Sequence, residues 1–301
     1  MHKILFRADS SSTIGTGHIM RDLVLAKQYS DSKIIFATQD LEGSLNSKII
    51  ESGYEVKNLN SNNIDELVSM VKKLEIDILV IDHYGIDYAF EKELKEKTGI
   101  KLMVLDDTYE KHYCDVLLNH NIYAKEKRYK DLVPDDCELQ CGEKFTLLRD
   151  EFLIAKANKQ ALSNETVQVF LAMGGADSAN LNIKVLEVLK VFSSIHTHVV
   201  TTMANQHLHE LKLYAYNKTN MTLHVNSDEI ATLMAKSHLA IVTPSVTLNE
   251  VYFMELSFIT IQTAENQSEM LDFLEKNKYI SLKKFDEEIL HNSIKSFLVC
   301  N

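Results

Sequence analysis

Residues 78–82 read Ile-Leu-Val-Ile-Asp, a continuous apolar run that ends in an acidic residue. A run without polar alternation is typical of a strand buried on both faces, as in a parallel sheet covered by helices. Similar runs recur along the chain, and stretches with helical spacing separate them. This strict alternation predicts a doubly wound α/β architecture.

The predicted elements fall into two series. Strands are expected at residues 3–8, 33–38, 54–59, 78–82, 101–105 and 115–118, and then at 167–172, 197–202, 222–225, 239–243 and 258–262. Helices are expected at 19–29, 44–52, 64–74 and 88–97, near 180, 206, 228, 246 and 267, and at 287–298. The polar segment 151–165 lies between the series. We therefore predict two Rossmann-like domains, 1–152 and 153–301, facing a central cleft that holds a ligand at the carboxyl ends of the strands.

Composition limits the class of protein. Hydrophobic residues make up 45% of the chain and charged residues 25%, which is ordinary for a globular protein. The net charge of −11 argues against nucleic acid or anionic membranes as partners. No apolar run approaches the roughly 20 residues that span a bilayer. The early Arg7 and Asp9 leave no signal peptide, and four irregularly spaced cysteines do not form a disulfide framework. We expect a cytoplasmic protein that acts as a monomer.

Two of the nine glycines precede a histidine, in Gly15-Thr16-Gly17-His18. This stretch lies between the first strand and the first helix, where exposed N–H groups and the helix N-terminus favour negative charge. It does not fit the dinucleotide fingerprint, because the third glycine falls at Met20. At a helix N-terminus His18 should stay neutral and accept a proton. The alternative is a capping or core histidine.

Polar residues also follow the buried strand, in Asp82-His83-Tyr84-Gly85. Tyr84 offers a hydroxyl and a ring to a sugar, and Asp82 and His83 are candidate bases or ligands. The alternative is a strand-end turn capped by Asp82. Together with Asp106, Asp107 and His112 these residues include metal-ligand types, but no H-x-x-x-H or H-x-H pair supports a metal site there. His196 and His198 form an H-x-H pair, but this pair lies at the start of a strand, at the end opposite the expected ligand-binding edge.

Three further motifs lie at strand-to-helix junctions of the second half. Gly174 and Gly175 begin a turn that can expose N–H groups to a diphosphate, or that serves only as a turn and helix cap. Thr247 can bond phosphate oxygens, and Glu250 can accept both hydroxyls of a ribose, unless this is only a capped helix with a surface glutamate. Asn266 and Gln267 present two amides to a sugar or phosphate.

Taken together, the motifs resemble the UDP-2,4-diacetamido-2,4,6-trideoxy-β-L-altropyranose hydrolases of pseudaminic acid biosynthesis, the PseG family. The resemblance runs in order from residue 3 to about 280, and no matching motif covers the residues beyond. It is carried by Phe6-Arg7-Ala8-Asp9-Ser10-Ser11, Ile14-Gly15-Thr16-Gly17-His18-Ile19-Met20-Arg21, Asp82-His83-Tyr84-Gly85, Met173-Gly174-Gly175-Ala176-Asp177 and Asn266-Gln267.

The resemblance implies a GT-B architecture akin to MurG glycosyltransferases, with UDP held mainly by the second domain. It implies hydrolysis at the anomeric carbon with inversion, without metal or cofactor, in a pathway that includes flagellin glycosylation. It makes His18 the catalytic base and Tyr84, Arg149 and Asn266 ligand contacts. Similarity to MurG-like nucleotide sites places Thr247 near phosphate and Glu250 near ribose. The substrate-binding set is Gly17, Tyr84, Arg149, Gly174, Gly175, Thr247, Glu250 and Asn266.

One departure from the family pattern and several rival functions remain. Thr243-Pro244-Ser245 stands where a more glycine- or serine-rich turn is expected, which leaves the phosphate contacts there open. The rivals are a MurG-like glycosyltransferase, a hydrolase of a different nucleotide sugar, and a nucleotide-sugar-binding module without turnover. A MurG-like enzyme acting on a lipid-linked acceptor should carry a membrane-docking patch, and the sequence has no obvious one.

Overall fold

A computed structural model of the chain describes residues 1–163 and 165–300, and of residue 300 the backbone only. The chain divides into two compact units, Met1–Leu147 and Leu148–Asn301. This division lies five residues before the predicted domain boundary after residue 152. The first seven residues of the predicted polar linker, 151–165, lie in a helix over Asp150–Ala157 that belongs to the second unit. Residue 164 of that linker lies outside the described residues.

The first unit is a seven-stranded parallel sheet with helices between its strands. Its strands are β1 (Lys3–Ala8), β2 (Lys33–Gln39), β3 (Glu55–Leu59), β4 (Ile78–Asp82), β5 (Lys101–Leu105), β6 (Val116–Asn119) and β7 (Glu138–Cys141), and its helices are α1 (Gly17–Lys27), α2 (Asn46–Glu51), α3 (Ile64–Leu74) and α4 (Tyr88–Thr98). The strand order is β3-β2-β1-β4-β5-β6-β7. The order reverses between β1 and β4, which is the switch point where doubly wound sheets bind ligands.

The second unit repeats the plan with six parallel strands. It contains α5 (Asp150–Ala157), β8 (Val167–Ala172), α6 (Leu181–Leu189), β9 (Ile195–Thr201), α7 (Leu208–Ala215), β10 (Met221–Val225), α8 (Ile230–Ala235), β11 (Leu239–Val242), α9 (Val246–Phe253), β12 (Ser257–Ile261), α10 (Ser268–Lys276), β13 (Ser281–Leu282) and α11 (Glu287–Cys300). The order is β10-β9-β8-β11-β12-β13, with the switch point between β8 and β11. Both units therefore have the predicted Rossmann-like, doubly wound topology.

Local chemistry explains where the helices begin and end. The Asn63 side chain accepts a hydrogen bond from the Asp65 amide at the start of α3, at 2.8 Å. The Asp87 side chain accepts one from the Phe90 amide at the start of α4, at 3.0 Å. At the end of α4, Gly99 takes a left-handed conformation with φ of 65°. Such caps satisfy the backbone groups that a helix end leaves unpaired, and so they fix its boundaries.

Burial follows the apolar runs that predicted the sheets. All residues of β4 after Ile78 are buried, as are all four residues of β6 and of β11. Each sheet has helices on both faces, so these strands lose contact with water on both sides. Among residues 1–163 and 165–300, no helix is both long enough and apolar enough to cross a membrane.

Candidate active site

The candidate site of the first unit lies at the carboxyl ends of β1, β4 and β5. Gly17 begins α1 and is exposed, and a Cβ added there would meet no atom within 4 Å. Thr16 precedes it without a side-chain cap, so the first amides of α1 remain available to a ligand. His18 is the second residue of the helix, in the first turn as predicted, and is 7% exposed.

His18 is held by a buried carboxylate. Its Nδ1 lies 2.7 Å from Oδ1 of Asp82, the last residue of β4. Because an ionised carboxylate can only accept hydrogen bonds, Nδ1 carries a proton, and in the neutral imidazole the lone pair is then on Nε2. Asp82 therefore fixes both the orientation of the imidazole and the tautomer in which Nε2 can accept a proton. The sequence makes Asp82 either a candidate base or ligand or the cap of a strand-end turn, and the structure shows it as the partner of His18.

Arg21, one turn after His18 in α1, also bonds Asp82. Its Nε lies 2.6 Å from Oδ2 of Asp82, and its Nη2 lies 2.5 Å from Oδ1. Its Nη1 donates to Oδ2 of Asp107 at 2.8 Å. A guanidinium binds a carboxylate through two parallel N–H groups, which holds Asp82 more firmly than a single contact can. Arg21 thus ties the ends of β4 and β5 to the helix that carries His18.

Tyr84 extends the same network towards solvent. Its hydroxyl donates to the Asp107 carboxylate at 2.9 Å, and its ring packs edge-on to His18 with centroids 4.8 Å apart. The side chain is 57% exposed, so most of it remains open to a ligand. The structure therefore brings two predicted site residues, His18 and Tyr84, into direct contact. A chain of hydrogen bonds through Asp82, Arg21 and Asp107 also links them.

Burial and charge set the ionisation of these groups. Burial alone would raise the pKa of Asp82, but the charge of Arg21 and its hydrogen bonds, with those of His18, hold that pKa well below its usual range. Burial would lower the pKa of Arg21, but the carboxylates of Asp82 and Asp107 raise it well above its ordinary value. Asp82 and Arg21 thus form a permanently charged, buried pair.

Two further buried groups stand beside this pair. Burial, followed by the negative charge of Asp82, raises the pKa of Asp22 well above its usual range, and neither of its carboxyl oxygens has a hydrogen-bond partner. Burial, followed by the positive charge of Arg21, lowers the pKa of His120 to about 4. Burial thus favours the protonated form of Asp22, and His120 is a neutral imidazole at pH 7.

The other candidate metal ligands are engaged separately. His83 Nε2 lies 3.1 Å from Oδ2 of Asp9, which Arg7 binds through two nitrogens at 2.7 Å each. Oδ2 of Asp106 accepts a hydrogen bond from the Tyr129 hydroxyl at 2.6 Å. Within the described part of the chain, no group of three or more His, Cys, Asp and Glu side chains is placed to hold a metal ion.

In the second unit, the Gly174-Gly175 turn follows β8. Gly174 has φ of +81°, a conformation that side chains disfavour. A Cβ on Gly175 would lie 3.1 Å from Thr202, whose hydroxyl donates to the Gly175 carbonyl at 2.9 Å. Asp177 accepts hydrogen bonds from the amides of Leu181 and Asn182. The start of α6 is thus capped from within the chain, as in the alternative reading of this motif.

The start of α9 is different. Ser245 stands at its N-cap without a side-chain cap, because its hydroxyl lies 2.9 Å from that of Thr243 instead. Thr247 lies in the first turn of this helix. A helix N-terminus without a cap presents free N–H groups and a partial positive charge to an anion. Of these two junctions, the start of α9 is therefore the more open to an anion.

Glu250 and Arg149 meet one turn into α9. Arg149 Nη2 donates to Oε1 of Glu250 at 3.1 Å, and its Nη1 lies 2.8 Å from Oε1 of Glu151. Burial raises the pKa of Glu250 to about 7, although Arg149 acts against this shift. Glu250 is thus neither a surface glutamate nor fully ionised at neutral pH, and it can both donate to and accept from a hydroxyl.

Asn266 is exposed, in a 3₁₀ turn over Glu265–Gln267 that follows β12. Gln267 stabilises this turn, because its Oε1 accepts hydrogen bonds from the amides of Thr263 at 2.8 Å and Ala264 at 3.3 Å. Of the two predicted amides, Gln267 therefore holds the turn, and Asn266 is the one left at the surface.

Sequence reasoning missed the roles of Arg21, Asp107 and Asp82 around His18. The signal for Arg21 was its spacing, since residues three apart share one face of a helix. The signal for the two aspartates was their position at the ends of strands predicted to be neighbours. Nothing in the sequence pointed to Asp22 or His120, whose special character comes from burial alone.

Comparison with known proteins identifies the family. The chain is 41% identical, over 278 residues, to the UDP-2,4-diacetamido-2,4,6-trideoxy-β-L-altropyranose hydrolase of Campylobacter jejuni, covering 92% of this chain and 97% of that enzyme. The chain belongs to this hydrolase family. The resemblance found in the motifs is confirmed, and the chain is an enzyme. No protein-family model matches it.

Other known proteins are similar to the chain at lower sequence identity. An uncharacterized protein of Methanocaldococcus jannaschii is 31% identical over 284 residues, which span 90% of this chain and 57% of that protein. Among solved structures, MurG of Acinetobacter baumannii matches with a TM-score of 0.66 at 13% identity, over 100% of this chain and 91% of MurG. The chain therefore has the GT-B fold that the resemblance implied.

Proposed function

We propose that this enzyme hydrolyses UDP-2,4-diacetamido-2,4,6-trideoxy-β-L-altropyranose to UDP and 2,4-diacetamido-2,4,6-trideoxy-L-altrose. In the proposed reaction, water attacks the anomeric carbon with inversion, and no metal takes part. The observation that carries the proposal is the His18–Asp82 contact of 2.7 Å in a chain that is 41% identical to a hydrolase of this sugar nucleotide. A place in pseudaminic acid biosynthesis follows if the substrate is this one.

His18 is the base in this proposal. Its Nε2 takes a proton from the attacking water, and the imidazolium that forms is stabilised by Asp82 through Nδ1–H. Arg21 keeps Asp82 ionised and aligned, so that it cannot rotate away or take the proton itself. A positioned base of this kind typically contributes a factor of about 10²–10⁴ to the rate.

The leaving UDP is assigned to the second unit. The uncapped start of α9, with Thr247 in its first turn, suits a diphosphate, and the exposed Gly174-Gly175 turn offers further N–H groups. Glu250, about half ionised at pH 7, suits the two ribose hydroxyls, with Arg149 holding it in place. These groups stabilise the negative charge that UDP gains as the glycosidic bond breaks.

Three of the predicted residues, Gly17, Tyr84 and Asn266, are the candidates for contact with the sugar. Gly17 lets the substrate approach the amides of α1 without meeting a side chain. Tyr84 offers a ring face and a hydroxyl already oriented by Asp107. Asn266 supplies an exposed amide that can bond an acetamido group.

The test is UDP release from this sugar nucleotide without acceptor and with EDTA present, comparing the unmodified enzyme with His18→Asn. We expect turnover by the unmodified enzyme, and at least a 10²-fold lower kcat with little change in substrate affinity for the variant. Equal losses of affinity and turnover would make His18 a binding residue. UDP release only when an acceptor sugar is added would make the enzyme a glycosyltransferase.

A further inference from the structure

Two thiols of the first unit that take no part in the candidate active site lie close together. Sγ of Cys114 and Sγ of Cys137 are 3.6 Å apart. Cys114 lies two residues before β6 and Cys137 immediately before β7, which pair in parallel with Val116 opposite Glu138. The Glu138 amide donates to the Asp115 carbonyl at 2.9 Å, so the two backbones are bonded between the cysteines.

We propose that Cys114 and Cys137 form an oxidation site that takes a hydroperoxide and closes to a disulfide. The Cys137 thiolate attacks one peroxide oxygen, the O–O bond breaks, and the products are a sulfenic acid and, after protonation, water or an alcohol. The Cys114 sulfur then attacks the Cys137 sulfur, an S–S bond forms, and the hydroxyl leaves as water with the Cys114 proton. In sum, two thiols lose two electrons and two protons, and one peroxide accepts them.

Exposure and hydrogen bonding make Cys137 the first sulfur to react. Cys137 is half-buried, whereas Cys114 is only 2% exposed. A hydrogen bond from the Cys114 thiol lowers the pKa of Cys137, although burial and the charges of Asp115 and Asp136 act the other way. The same contact and burial raise the pKa of Cys114. The pair therefore has an attacking sulfur that oxidant can reach and a resolving sulfur beside it.

Closing the disulfide needs only a small movement. An S–S bond is about 2.05 Å long, so the two sulfurs must approach by roughly 1.5 Å. They lie at the amino ends of β6 and β7, whereas the candidate active site lies at the carboxyl ends of β1, β4 and β5. The bond would therefore close the segment 115–136 into a loop without displacing His18 or its partners.

Two tyrosines of that segment bond residues that follow β5, next to the candidate site. The Tyr123 hydroxyl donates to the Asp107 carbonyl and the Tyr129 hydroxyl to Asp106. A disulfide around the segment restricts the unfolded chain, so we expect oxidation to raise the unfolding temperature by about 4–10 °C. We expect kcat to stay within about twofold.

The experiment uses the full chain with Cys300→Ser, which leaves Cys114, Cys137 and Cys141. The protein is treated with hydrogen peroxide and then unfolded in a denaturant that contains iodoacetamide. It is analysed by intact mass and by non-reducing peptide mapping. We expect one alkylated cysteine, Cys141, and one peptide pair linked through Cys114 and Cys137. Cys141 is buried, and burial raises its pKa to about 11, so it serves as the matched unreactive thiol.

Three further variants make the result decisive. Cys141→Ser should form the same disulfide at the same rate. Cys114→Ser should stop at a sulfenic acid on Cys137 that dimedone traps, and Cys137→Ser should form neither product. Three free thiols after peroxide treatment, a disulfide between two chains, or equal oxidation of Cys141 would overturn the proposal.

Discussion

Replacing Asp82 by asparagine tests the arrangement around His18 most sharply. The substitution keeps the size of the side chain but removes its charge and turns one oxygen into an amide nitrogen. Asp82 now accepts from His18 at 2.7 Å and from Arg21 at 2.6 and 2.5 Å, and it is 1% exposed. In the variant an N–H group must face either His18 Nδ1 or Arg21, and both of these are donors.

The structure sets the size of both expected effects. Arg21 would keep Asp107 as a partner but lose its bidentate one, and removing one member of a buried ion pair costs about 3–5 kcal/mol of stability. Proteins are commonly stable by about 5–15 kcal/mol, so the variant should remain folded at 25 °C with a lower unfolding temperature. Loss of the tautomer that leaves Nε2 free should lower kcat by about 10²–10⁴-fold, the usual contribution of a positioned base.

The assay is UDP release at saturating sugar nucleotide, with circular dichroism on the same samples to establish that they are folded. Asp106→Asn is the matched control, because Asp106 is also buried and bonds Tyr129 at 2.6 Å. We expect that control to lose stability but to keep kcat. A folded Asp82→Asn enzyme with kcat within threefold of the unmodified one would refute the proposed role of Asp82.

Three further predictions concern single groups. Tyr84→Phe loses the hydroxyl bond to Asp107 but keeps the ring against His18, so kcat should fall by only about 2–10-fold in the same assay. Because burial raises the pKa of Glu250 to about 7, the ionised fraction of Glu250 rises between pH 6 and pH 8, and calorimetry should show a smaller change in UDP affinity over that range for Glu250→Gln than for the unmodified enzyme. Burial alone would lower the pKa of His112, but the Asp106 carboxylate, 3.7 Å from its Nε2, and the Glu91 carboxylate, hydrogen-bonded to its Nδ1, raise it from 6.5 to about 9. The folded state then holds one more proton than the unfolded state between those values, so urea titrations should show the free energy of unfolding falling by about 1.4 kcal/mol per pH unit above pH 6.5, and a flatter profile for His112→Gln.

The sequence predicted the strands that carry apolar runs and missed those that do not. β4 was predicted with its observed bounds, because Ile78–Asp82 has no polar interruption before its end. β7 reads Glu-Leu-Gln-Cys and lies at a sheet edge, where only one neighbour pairs with it and polar residues are tolerated. α5 was taken as a polar linker, although Phe152 within it is fully buried. Its burial depends on packing against the rest of the second unit, which no local pattern encodes.

The candidate site shows the same division between local and distant information. The position of His18 in the first turn of a helix followed from the glycine spacing around it. The identity of its partner did not, because Asp82 lies 64 residues away in the chain and meets His18 only through the pairing of β1 with β4. Local sequence placed Glu250 one turn into a helix and made it a candidate ribose contact. It did not indicate that Arg149 would bond this glutamate.

The measurement that tests the central claim most directly follows the oxygen of the attacking water. Purified enzyme is incubated with the UDP-linked diacetamido-trideoxy-altrose in ¹⁸O-water, with EDTA and without acceptor, and the products are followed by NMR and mass spectrometry. We predict UDP without label and a free sugar that carries ¹⁸O at C1 and appears first as the inverted anomer. Label in UDP would instead mean attack at phosphorus, and no UDP release at all would contradict the assignment of this substrate.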